Sequence, residues 1–113
     1  MSTIFTKIIN KEIKADIIYE NDNIICFKDV NAISPIHFLI IPKKEIPTVN
    51  DIKNRDKLII GEMFIVAKKV AKLFNISKNG YRLVVNCNED GGQSVYHLHM
   101  HLLGGRKFNW PPG

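Results

Sequence analysis

The sequence has no apolar run near the roughly 18–20 residues that cross a bilayer, so no membrane helix is expected. No charged segment leading into a long apolar stretch opens it, which argues against a secretory leader. Cysteine is scarce: Cys26 and Cys87 alone cannot build a disulfide framework or a thiolate zinc site. Both fall in apolar, strand-like segments and are expected as buried, reduced thiols, which implies a cytoplasmic location. There is no internal repeat and no low-complexity linker. No basic stretch is interleaved with aromatics, so no nucleic-acid partner is expected, and without a long apolar run no membrane partner is expected either. Charge is only mildly one-sided, with 16 Lys+Arg against 11 Asp+Glu. That excess suits a solvated surface and is compatible with an anionic ligand. What remains is 113 residues with 45% hydrophobic and 24% charged side chains, the composition of one folded domain spanning residues 1–113.

The local pattern predicts five strands and one main helix. Ile4, Phe5, Ile8 and Ile9 line one side of a short opening helix or turn. Asp16–Glu20 and Ile24–Asp29 read as strands joined by the turn Asn21-Asp22-Asn23. His37–Ile41 is a third strand, stopped by Pro42, which has no N–H for a ladder. Residues 45–56 are polar and read as loop or helical turn. From Asp56 to Asn75, Ile59, Met63, Val66, Val70 and Leu73 recur at helical spacing and are expected on one buried face, with Lys57, Lys68 and Lys72 opposite. Asn79-Gly80 closes that unit with residues that tolerate positive φ. Tyr81–Asn86 and Val95–Leu103 are the last two strands, separated by a loop holding Gly91 and Gly92. Strands and helix that do not alternate one by one point to an α+β fold with an antiparallel sheet.

Three of the four histidines lie within His97-Leu98-His99-Met100-His101. Alternation along a strand puts the three imidazoles on one face and Leu98, Met100 and Leu102 on the other. Three chemistries compete for such a face. Imidazole binds zinc, but the outer two histidines of an extended strand stand about 13 Å apart, too far to share one ion unaided. A purely structural role fits a lone buried histidine better than three in strict alternation. Nucleophilic and acid–base work on a phosphate suits imidazole, which is neutral near pH 7 and forms a readily displaced covalent intermediate. The loop Asp90-Gly91-Gly92-Gln93-Ser94 feeds this strand and offers backbone N–H groups and side-chain donors to an anion.

The run His97–Leu103, of the form His-φ-His-φ-His-φ-φ, resembles the histidine triad (HIT) superfamily. Gly91–Gly105, the terminal Trp110-Pro111-Pro112-Gly113, Ser34–Lys44 and Ile4–Ile13 further resemble its Hint branch of nucleoside phosphoramidases. A third histidine in place of glutamine is like the hydrolases of the superfamily, and Gly104-Gly105 is unlike its diadenosine polyphosphate hydrolases. The resemblance implies a HIT-like five-stranded antiparallel sheet with one long and one short helix per protomer, doubled to ten strands across a homodimer. It implies hydrolysis of the P–N bond of purine nucleoside (adenosine or guanosine) 5′-phosphoramidates through a nucleotidyl-histidine, with acyl-adenylates as further substrates. No metal and no cofactor are implied.

Roles follow residue by residue from the resemblance. His99 is implied as nucleophile, its other nitrogen donating to the His97 carbonyl. His101 is implied to bind phosphate oxygens, and His97 and His37 to pair behind the nucleophile. Ser94 is implied to help protonate the leaving nitrogen. Asn86, Gln93 and backbone near Gly92 and Val95 would hold the phosphate, and Asp29 the ribose hydroxyls. Ile4, Phe5, Ile8, Phe27, Val30 and Leu39 would sandwich the purine, and Trp110 would reach the partner's site. Glu45 and Asn109 depart from the residues usual there, and Val30 is one methylene smaller. The alternatives are a non-catalytic purine-nucleotide-binding or scaffold protein using the same pocket, and a zinc-binding protein.

Overall fold

A computed structural model describes residues 2–113. Its centre is a five-stranded sheet: β1 (Ile17–Glu20), β2 (Ile24–Lys28), β3 (Ile36–Pro42), β4 (Arg82–Val84) and β5 (Met100–Gly104), in the order β1-β2-β3-β5-β4 with every neighbouring pair antiparallel. The β1–β2 turn forms because the Asn21 side-chain oxygen accepts from the backbone N–H groups of Asn23 and Ile24, an Asx turn. Pro42 is the last residue of β3 rather than the first beyond it, opposite Ile24. That position is open to proline because it lies at the strand end.

Period-two alternation gives the sheet two different faces. Ile24, Cys26, Phe38, Ile40, Met100 and Leu102 point to one side and are covered by α2 (Lys57–Leu73) through Met63, Val66, Ala67, Val70 and Ala71. Ile25, Phe27, Leu39 and Ile41 point to the other, where α1 (Ile4–Ile9) covers part of them with Phe5 and Ile8. A reciprocal capping box starts α1: the Thr6 amide donates to Thr3 Oγ1, and the Thr3 amide donates back to Thr6 Oγ1.

The helix reaches the last residue of the apolar period, Leu73, but stops two residues short of Asn75. Asn75 at φ 60 turns the chain away after Leu73, so Leu73 is 65% exposed instead of buried. The segment before it forms two single turns, Val49–Asp51 and Asn54–Asp56. The last two strands are also shorter than expected. Residues 95–99 bend and pair with no strand until Met100, and β4 ends at Val84, which leaves Cys87 half-buried in a loop. Cys26 is buried as expected, and burial pushes its thiol up to about 12. Among the described residues, no helix is long and apolar enough to cross a membrane.

Candidate active site

The face that α1 only partly covers holds a cavity of about 690 Å³, the size of small-molecule sites in general. Its apolar wall is Ile4, Phe5 and Ile8 from α1, Phe27 from β2, Leu39 from β3, and Val95. Its polar wall is Asp29, Ser94, His99 and His101. Val30 lies at the rim and is 95% exposed. Sequence reasoning missed Ile13, Lys14, Ala15, Asp16, Lys28 and Asn31, which also line it. They belong to the return from α1 into β1 and to the end of β2, where no motif marks them. Only the apolar Ile13 beside the opening helix gave a signal.

The histidines are arranged by backbone groups. His99 Nδ1–H donates to the His97 carbonyl at 2.7 Å. The proton therefore sits on Nδ1, and Nε2 carries a lone pair. Phe5 stands edge-on to the ring at 5.0 Å between centroids. Burial is the main cause that holds the His99 pKa below the ordinary imidazole range, so the ring is neutral at pH 7.

His37 and His101 come from β3 and β5. His37 lies opposite Leu103, and His101 opposite Leu39, so the two histidines are diagonal neighbours on the cavity face. The Ile33 amide donates to His37 Nδ1 at 3.1 Å. A neutral imidazole has one donor and one acceptor nitrogen, so His37 carries its proton on Nε2. That N–H lies 2.9 Å from His101 Nδ1 and 3.2 Å from Asp29 Oδ2. His101 Nδ1 is then the acceptor, and its own proton sits on Nε2. Burial, with His99 and His37 beside it, lowers the His101 pKa to about 4, so His101 meets a ligand as a neutral donor.

The expected pairing of His97 with His37 does not form. His97 Nε2–H donates to the Pro42 carbonyl at 2.7 Å, and its buried Nδ1 has no hydrogen-bond partner among the described residues. His97 lines a smaller cavity of about 200 Å³ with Thr3, Glu45, Pro47 and Tyr96. It meets His99 through its carbonyl and through the shared contact with Phe5, whose ring is 6.4 Å from its own. Glu45 accepts from Thr6 Oγ1 at 3.0 Å and so ties α1 down.

Gln93 is also placed otherwise than expected. Its amide donates to the carbonyls of Pro47 (2.8 Å) and Val95 (3.0 Å), and its oxygen accepts from the Asn88 N–H (2.9 Å). The side chain is buried and braces the loop instead of facing the cavity. Gly92 and Gln93 direct their own N–H groups to Glu89 and Asn88 within the turn, so those amides are not offered to an anion. Gly91 is required by packing, since a Cβ there would lie 2.5 Å from the Cys87 carbonyl oxygen. Asn86, Gly92 and Trp110 do not line the cavity, and Trp110 is 82% exposed.

Asp29, His37 and His101 bring three potential ligand atoms within 4.8 Å of one another, a spacing that suits a divalent ion. The donor set does not fit. The Ile33 amide fixes the His37 proton on Nε2, so His37 offers that cluster an N–H and not a lone pair.

A family model described as HIT domain matches residues 10–108. Purine nucleoside phosphoramidase of Escherichia coli (strain K12) is 51% identical over 104 residues, which are 92% of this chain and 87% of that protein. A crystal structure of a HIT family hydrolase from Legionella pneumophila Philadelphia 1 superposes with a TM-score of 0.97 at 48% identity, covering 99% of this chain and 100% of the other. A histidine triad protein from Clostridium difficile gives a TM-score of 0.92 at 38% identity, covering 96% and 97%.

Proposed function

Because the chain belongs to the HIT domain family, we propose that it is a purine nucleoside phosphoramidase, hydrolysing the P–N bond of nucleoside 5′-phosphoramidates. The observation that carries this reading is the 2.7 Å bond from His99 Nδ1–H to the His97 carbonyl. It leaves a neutral Nε2 nucleophile on the wall of a cavity with one apolar side and one polar side.

The purine lies between α1 and the β2–β3 face, and the Asp29 carboxylate takes the ribose hydroxyls. Asp29 Oδ1 already accepts from the Asn31 amide at 2.8 Å, and a carboxylate has further lone pairs to offer. His99 Nε2 attacks the α-phosphorus. The P–N bond breaks and its electron pair leaves with the amine, which takes the Ser94 hydroxyl proton, and the water of the next step restores that proton to Ser94. His101 Nε2–H donates to a phosphate oxygen. Water then attacks the phosphorus and gives up a proton, the His99–P bond breaks, and the monophosphate departs. The same two steps act on acyl-adenylates, with a carboxylate as leaving group.

We also infer a homodimer and a cytoplasmic location. The dimer is supported by the edge strand β4, whose one sheet partner is β5, and by apolar residues on the outer side of α2. Leu58 is 89% exposed, and Phe64 and Ile65 are 51% exposed each. With Gly61 they fall within an arc of roughly 120°. Edge-to-edge pairing through β4 gives ten strands and brings the exposed Trp110 tail toward the partner. The location is supported by the two unbridged cysteines.

The test is His99→Ala assayed on an adenosine phosphoramidate. Turnover is expected to fall by about 10³-fold or more, the scale on which loss of a nucleophile acts, while adenosine monophosphate still binds. Near-normal hydrolysis by the variant, or monophosphate binding without turnover by the intact protein, would overturn the reading.

A further inference from the structure

A chain of contacts runs from the C-terminal tail to His101 through residues that do not line the cavity. Gly105, at φ +91, lies against the loop before β3, where an added Cβ would stand 2.7 Å from Pro35 Cβ. Arg106 follows. Its Nη2 donates to the Ile33 carbonyl at 3.2 Å, and its guanidinium lies 4.2 Å from the Phe108 ring. Arg82 flanks the same ring at 5.3 Å and donates to the Asn109 carbonyl, so the tail is held to β4 as well. Ile33 is thus gripped at its carbonyl while its amide is aimed at His37.

We propose that Ile33 and Arg106 are positioning residues that fix the tautomer of His101 through His37. The inference rests on the reading of the cavity as a phosphoramidase site. The Ile33 amide makes His37 Nδ1 an acceptor, His37 Nε2–H makes His101 Nδ1 an acceptor, and His101 therefore turns an N–H toward the cavity it lines. In the opposite tautomer His101 presents a lone pair to a phosphate oxygen and repels it. The titratable groups facing His101 are Asp29, His37 and His99, and none of the three is a cation at neutral pH.

The experiment is long-range proton–nitrogen correlation NMR on histidine-labelled protein at pH 7 without nucleotide, for the native chain, Arg106→Ala and Arg106→Lys. In the native chain His37 and His101 are expected with the proton on Nε2 and a bare Nδ1. Arg106→Ala is expected to populate the other His101 tautomer and to lower turnover about fivefold, the worth of one ordinary hydrogen bond. Arg106→Lys, which keeps a cationic donor on the side chain, is expected to restore part of both. Ile33→Pro deletes the amide and is expected to shift the His37 proton to Nδ1. Should that variant not fold, the surface substitution Arg106→Ala decides. A native His101 protonated on Nδ1, or tautomers unchanged in Arg106→Ala, would overturn the proposal. Tautomers as stated in a protein that hydrolyses no phosphoramidate leave the relay standing and refute the functional reading.

Discussion

Replacing Gln93 by Ala separates two roles that the sequence alone does not distinguish. If the amide holds phosphate oxygens, the substitution weakens nucleotide binding and leaves stability nearly untouched. The structure has the amide make three hydrogen bonds, to Pro47, Val95 and Asn88, from a side chain only 7% exposed. At about 1 kcal/mol for each neutral bond, their loss costs about 3 kcal/mol. A domain of this size loses roughly 4 °C in Tm per kcal/mol, so the variant is expected to melt roughly 10–15 °C lower. Thermal unfolding with and without adenosine monophosphate reads both quantities in one experiment. A melting point within about 2 °C of the native protein, together with a tenfold or larger loss of affinity, would refute the bracing role.

Acid should destabilise the fold through its histidines. The folded pKa of His101, about 4, lies below the unfolded value near 6.5, and His37, His97 and His99 shift the same way. The unfolded chain takes up protons first, so stability is full above pH 6.5 and falls as pH drops toward 4, with His101 alone worth about 2 kcal/mol at pH 5. Equal urea midpoints at pH 7 and pH 5 would contradict this. Phe64→Glu with Leu58→Lys is expected to give a species of one chain mass by sedimentation where the native protein shows two, and a monomeric native protein would end the dimer inference. Gly92→Ala and Gly105→Ala share the positive-φ cost of about 1–2 kcal/mol, but only the second meets Pro35, so it should unfold at clearly lower urea. Equal midpoints for the two would count against that contact.

Much of the fold was legible because the apolar periods are regular. β2, β3 and the core of α2 fall where alternation and helical spacing put them. The misses arise where geometry, not hydrophobicity, decides. Leu73 keeps the helical period, yet the Asn75 turn ends the helix beneath it. Residues 95–99 alternate like a strand, but Gln93 pins the preceding loop and Leu98 N–H donates to Ile46, outside any ladder. In the site, the resemblance carried by the triad implied the bond from His99 to the His97 carbonyl, and the structure has it. The partner of His37 was not readable, because the diagonal offset between β3 and β5 depends on register. The Ile33 amide carries no signal in the sequence, since every residue except proline has one.

The two unequal covers of the sheet bear on how such a chain can diverge. The side under α2 is filled by closely packed residues, so most substitutions there destabilise the fold. The cavity side is bounded by a helix of six residues, which buries only Phe5 and Ile8, and by the loops at 13–16 and 29–31. Variation in those few positions can alter which base or leaving group is accepted while the histidine relay and the packed side pass unchanged between generations. Drift in substrate choice is therefore expected to concentrate there, in a small part of the chain that can be surveyed by exhaustive mutagenesis.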